Sequence, residues 1–168
     1  MGPYRLASSI GLACALIGAA PARAAPGTAQ VSANVVKPLV LTWLQDLDLG
    51  TIVLGPGSWS GATVGVSQAG ALSCTNANVT CSGATKPAQY NVSGSNRQVV
   101  HITAPNVTLV NQGDATQTLT LVISAPASVT LTNSGPPGSD FSIGGSITLD
   151  STTAGGTYVG TMNVTVDY

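Results

Sequence analysis

The run TYVGTMNVTVDY, Thr157 to Tyr168, decides the fold class. Tyr158, Gly160, Met162, Val164, Val166 and Tyr168 share one face, while Val159, Thr161, Asn163, Thr165 and Asp167 share the other. Side chains alternate across a strand with a period of two, so this is the pattern of a half-buried β-strand and not of a helix. Chain ends fray unless something holds them. This C-terminal strand therefore needs a pairing partner, in its own sheet or in another molecule.

The same signal recurs upstream. Strand-like runs are expected at Gln30–Val36, Pro38–Trp43, Leu47–Leu54, Ser58–Ser67, Ala88–Ser93, Gln98–Thr103, Val107–Asn111, Thr118–Ser124, Val129–Asn133 and Phe141–Leu149. Gly55-Pro56-Gly57, Ser134-Gly135-Pro136-Pro137-Gly138 and Thr153-Ala154-Gly155-Gly156 separate them as loops, because Gly and Pro interrupt regular structure. Thr and Val are abundant and glutamate is absent. β-branched side chains are stiff at χ1 and fit a pleated sheet better than a helix. Short strands at this spacing predict an all-β sandwich or barrel. Leu119, Leu121 and Ile123 are expected inward, alternating with Thr118, Thr120 and Val122.

Arg5, an apolar run from Leu6 to Ala20 and the small residues of Ala22-Arg23-Ala24 form the three parts of a secretory signal peptide. The apolar run is too short to span a bilayer. Residues 1–24 are therefore expected to be removed, leaving residues 25–168 as a single exported domain, periplasmic, surface-bound or extracellular, with no membrane insertion after cleavage. This part keeps three bases (Lys37, Lys86, Arg97) against six aspartates, a net charge of −3. So little positive charge argues against nucleic acid as a partner. Cys74 and Cys81, seven positions apart, are expected to form a disulfide in an oxidising compartment.

Several constellations invite chemistry. Asp46 and Asp48 would share a strand face, but hard cations want several oxygen ligands, and a turn-capping role is the better reading. Asp140 and Asp150 are expected to bond turn amides. His101 sits in the strand-like run Val99-Val100-His101-Ile102, and Gly57-Ser58-Trp59-Ser60-Gly61 is a turn without the order of a nucleophile elbow. Trp43 and Trp59 could stack on sugar rings, but a core role for one of them is favoured, as is common for a large aromatic in a sandwich. The sequence therefore predicts no catalytic residue, no metal site and no cofactor.

Three stretches carry a family resemblance: Ala29-Gln30-Val31-Ser32-Ala33-Asn34-Val35-Val36-Lys37-Pro38-Leu39 leading into Leu41-Thr42, then Asp46-Leu47-Asp48-Leu49-Gly50-Thr51-Ile52, and a closing part made of Gly144-Gly145-Ser146-Ile147-Thr148-Leu149, Gly155-Gly156-Thr157-Tyr158 and Thr161-Met162-Asn163-Val164-Thr165-Val166-Asp167-Tyr168. Together they resemble a family of exported proteins of Gram-negative bacteria known mainly as an uncharacterised domain, with Leu49 where its members carry Phe. Such proteins look like the immunoglobulin-like subunits of chaperone–usher pili. The resemblance implies an immunoglobulin-like (Greek-key) antiparallel β-sandwich. It also implies a structural role with self-association, other pilus-like subunits and a periplasmic chaperone as partners. Ala29, Val31, Ala33 and Val35 then form a candidate donor strand, small apolar residues at every second position that would fill a neighbour's groove. The alternative is a monomeric secreted binding module, an adhesin or a carbohydrate-binding domain.

Overall fold

A computed structural model describes residues 26–168. The expected signal peptide, residues 1–24, lies outside the described residues. The chain divides into two units, residues 1–34 and 35–168. Of the first, residues 26–34 are exposed and in no strand. Val35 and Val36 of the second unit are likewise exposed and unpaired, so the strand expected over Gln30–Val36 does not form within the chain. A period-two pattern marks a segment fit for a sheet and says nothing about whether an edge is free to receive it.

The second unit is all-β, with no helix among the described residues. Its strands are β1 (Val40–Gln45), β2 (Thr51–Leu54), β3 (Ala62–Val66), β4 (Leu72–Ser73), β5 (Val79–Ser82), β6 (Ala88–Ser93) and β7 (Val99–Thr103). They continue with β8 (Val107–Asn111), β9 (Thr118–Ser124), β10 (Ser128–Thr130), β11 (Ser139–Leu149), β12 (Tyr158–Val159) and β13 (Thr165–Asp167). All the strand pairings are antiparallel. One sheet runs β1-β6-β11-β9-β8-β12, with β3 and β4 joined to it through β11; the others are β10-β7-β13 and β2-β5.

β11 is the longest strand and changes partner midway. Ser139–Ile143 pair with β6, whereas Gly145–Leu149 pair with β3 and Gly144–Ser146 with β9. Gly144-Gly145 stands at the change. A Cβ on Gly144 would run into the Val66 carbonyl oxygen, and one on Gly145 would lie 3.0 Å from Leu121 Cδ1. Glycine inside a strand marks such a bend or close backbone approach.

The partner change divides the core. Tyr90, Val92, Val100, Ile102, Leu131, Phe141 and Ile143 form one buried cluster, between β6, β7 and the first half of β11. Ala62, Val64, Val79, Val107, Leu121, Ile147 and Leu149 form the second, around β3, β8, β9 and the far half of β11. Leu47, Ile123 and Met162 pack against both. Leu119, Leu121 and Ile123 point inward and Thr118, Thr120 and Val122 outward, as the alternation predicts.

Two strands of the Cys region, β4 and β5, give no sequence signal. The Cys74–Cys81 disulfide is formed, with the Cα atoms 6.3 Å apart. Although the loop is short, the bond joins two sheets, because β4 pairs with β3 while β5 pairs with β2.

The C-terminal run keeps its alternation but is not one strand. Tyr158 and Val159 pair with Asn111 and Val110 of β8, and Thr165–Asp167 pair with Thr103–His101 of β7. Gly160–Val164 between them make no ladder. The register places Gly160–Met162 opposite Leu109–Val107 of β8, and only Asn163 and Val164 opposite the β7–β8 link at Ala104-Pro105-Asn106, where proline has no N–H to donate.

Candidate functional site

A concavity lies beside that interruption. It is a groove of about 1130 Å³ between two stretches of chain, Asp46–Leu54 and Thr153–Thr165. Val107, Leu109, Leu119, Leu121, Ile147 and Leu149 supply an apolar floor from β8, β9 and β11. Among the described residues, β2 pairs only with β5, and β12 ends its sheet beyond β8. Each wall therefore contains a strand at the end of its sheet, with one edge unpaired. Such edges are templates for another strand, and proteins usually blunt them with charge or cover.

Local chemistry fixes both walls. On the first, Asp48 Oδ1 accepts the Gly50 N–H at 2.8 Å, an Asx-turn that Gly50 continues at a φ of 73°. A single bridge from Asp48 to Lys86 ties this wall to the body. The capping role expected of Asp48 is thus realised. On the second wall, Asn111 is only 3% exposed and holds the start of the segment. Its Nδ2 donates to the Gly155 carbonyl at 3.1 Å, while its Oδ1 accepts the Gly113 N–H at 2.8 Å. The Tyr158 hydroxyl donates to the Ala154 carbonyl at 2.8 Å. Nothing in the sequence singled out Asn111, because its partners lie on two different loops.

At one end of the groove stand Trp43, Asp46 and Tyr90. Trp43, Tyr90 and Phe141 are direct cross-strand neighbours on β1, β6 and β11, so they share a face. Tyr90 and Phe141 are buried and stacked with ring centroids 5.6 Å apart. Burial raises the Tyr90 phenol above its ordinary pKa, and the nearby Asp46 carboxylate adds to this. Trp43, on the same inward face, remains 58% exposed. β1 is an edge strand, so of the two tryptophans Trp43 is not the one that fills the core. Trp59 does pack against the second cluster, its Nε1–H donating to the Gly55 carbonyl at 3.0 Å.

The remaining candidates fall elsewhere. Asp150 Oδ1 accepts the Thr152 N–H at 2.8 Å and the Thr152 hydroxyl at 2.7 Å, the turn role expected of it. Asp140 instead accepts from the Asn91 side chain across the β6–β11 pair, because it lies inside β11 and not on a loop. His101 is exposed on β7, and the register sets Ser128 of β10 and Asp167 of β13 directly beside it. That row has the residue types of a hydrolytic triad, but no hydrogen bond joins them among the described residues. They lie on an open sheet face outside the groove. No group of three metal-ligating side chains occurs among the described residues.

Two of the sequence stretches that carry the resemblance meet here. Asp46–Ile52 is one wall, Thr157–Thr165 is the other, and Val36–Thr42 leads into the strand bearing Trp43. A family described as a domain of unknown function, DUF4402, matches residues 39–168. The chain belongs to that family. The DUF4402 match begins at Leu39 and takes in β1 to β13, both groove walls and the disulfide, and leaves the 29–36 segment outside it. Comparison with curated proteins and with solved structures returns no significant match. Among the described residues no helix is long and apolar enough to cross a membrane.

Proposed function

We propose that this chain is an exported structural subunit of a cell-surface or pilus-like assembly, joined to its neighbours by β-strand pairing. The observation that carries the reading is the groove, an apolar trough each of whose walls contains a strand with one edge unpaired. The fold is then an immunoglobulin-like Greek-key β-sandwich lacking one strand. A strand placed between β2 and the Tyr158–Thr165 segment would continue the β2-β5 sheet and cover the floor residues. Residues 29–36 supply it from a neighbour: Val31 and Val35 are 95% and 86% exposed, and Ala29, Val31, Ala33 and Val35 alternate with polar residues. Small-molecule sites occupy roughly 300–1,000 Å³. A groove above that range, open along its length, fits a polypeptide segment better.

Export fits this reading. The signal-peptide pattern of residues 1–24, the disulfide and the near absence of positive charge all suit an extracytoplasmic protein. Light scattering after size exclusion tests the assembly. The chain without its signal peptide should form a ladder of oligomers resistant to mild denaturant, and Val31→Asp with Val35→Asp should leave monomer. A chain that stays monomeric with its segment intact refutes strand exchange. A second reading, a monomeric carbohydrate-binding module, rests on the exposed Trp43 beside Asp46.

A further inference from the structure

We infer that Trp43 is the anchor over which the entering strand closes, and that this strand is residues 29–36 of a second copy of the chain. The inference rests on the strand-pairing reading and assigns its specificity to one side chain.

The row Trp43–Tyr90–Phe141 crosses β1, β6 and β11 on the face turned toward the groove. Two of its members are buried and the third is 58% exposed. An indole on the inward face of a sheet, continuous with a buried aromatic stack, is a core residue without its cover. It is also held ready: the Trp43 Nε1–H donates to Asp46 Oδ1 at 3.1 Å, which limits the ring's freedom before anything binds. A rigid, pre-oriented aromatic at the rim of an apolar trough has the properties of a binding hot spot.

Three features point to a second copy as the occupant. The Ala29–Val36 segment has eight residues and the wall Asp46–Leu54 has nine, so one strand matches that wall in length. The segment carries no charge, which suits a floor made of Leu, Val and Ile. Lys37 follows it directly, and the groove's Trp43 end carries Asp46 and Asp48. The first wall runs from the Trp43 end to Leu54 and the second runs back, so the incoming strand pairs parallel with one and antiparallel with the other.

The test uses the full chain without its signal peptide, carrying Val31→Asp and Val35→Asp so that it cannot donate, and Trp59→Phe so that Trp43 alone reports. A synthetic peptide of residues 27–36 should bind, shift Trp43 emission to the blue, and lose roughly thirtyfold in affinity when Trp43 is replaced by Ala. Trp43→Phe should recover part of that loss. Binding without an emission shift, at an affinity that Trp43→Ala leaves unchanged, overturns the anchor while strand pairing stands. No peptide binding, in a parent chain that forms no oligomers, overturns both. A blue shift with cellohexaose in place of the peptide overturns the anchor in favour of the sugar-binding reading.

Discussion

Replacing Tyr168 by Phe removes one hydroxyl and keeps the ring, and that hydroxyl closes the second unit at the root of the 29–36 segment. It donates to the Lys37 carbonyl at 2.6 Å and accepts the Ser95 N–H at 2.9 Å. The Ser95 hydroxyl in turn accepts the Lys37 N–H at 2.6 Å. A Cβ on Gly94 would collide with the phenol, so glycine there makes room for it. The two bonds of the phenol are unequal. Lys37 is exposed, so water replaces the lost donor at a cost of about 0.5 kcal/mol. Ser95 is 9% exposed, and its N–H is left facing a phenyl edge at a cost of about 1.5 kcal/mol. The expected loss is about 2 kcal/mol, a fall of about 7 °C in melting temperature for a domain of this size. Guanidinium unfolding with the disulfide intact should show a lower midpoint at an unchanged m-value. Because Ser95→Ala loosens the same lysine, the double variant should lose less than the sum, with a coupling of about 0.5 kcal/mol or more. A Tyr168→Phe protein within about 0.3 kcal/mol of the parent, or strict additivity in the double variant, would refute the latch.

Three further outcomes follow from the geometry. Replacing Cys74 and Cys81 by Ser should cost about 2.5 kcal/mol by the chain-entropy relation for so short a loop, read from the same denaturation curves. Gly65→Ala puts a Cβ 2.7 Å from Ser146 Cβ and 2.8 Å from the Gly145 carbonyl, so β3 and β11 must separate; a loss of about 1–3 kcal/mol is expected. The hydroxyls of Thr116 and Thr152, followed by the backbone N–H groups of the same residues, hold Asp114 and Asp150 below the ordinary carboxylate pKa. A depressed folded pKa stabilises above the unfolded value and is lost as pH falls through the folded one. Stability should therefore decline below about pH 4, and Asp114→Asn with Asp150→Asn should flatten that limb.

The strands that the sequence announces best are those whose two faces differ most. β6 and β9 have the predicted bounds because more and less buried residues alternate along them without interruption. β4 and β5 were illegible for the opposite reason: Leu72–Ser73 is too short to show a period, and Val79–Ser82 is polar at every position but its buried end and the disulfide. The C-terminal run was legible in its faces and not in its pairing. Which strand lies opposite is a property of the whole chain, and the partner changes from β8 to β7 within the run. Which of the two tryptophans fills the core was hidden on the same ground, since the exposure of Trp43 depends on β1 having one neighbour and not two.

The groove was beyond reach of pattern reasoning altogether, because it lies between two stretches that each read as ordinary. Yet each half of the proposed pairing has its own sequence sign. The walls carry Asp46-Leu47-Asp48-Leu49-Gly50, where Asp and Gly stop the ladder, and Gly155-Gly156 with Gly160, which do the same on the other side. The 29–36 segment carries the alternation of a strand and occupies no sheet. Leaving Val31 and Val35 in water while Leu109, Leu119 and Met162 line an open trough forgoes roughly 25 cal/mol for every square ångström of apolar surface not covered. Within one chain those two deficits persist side by side. Between two copies, each cancels the other.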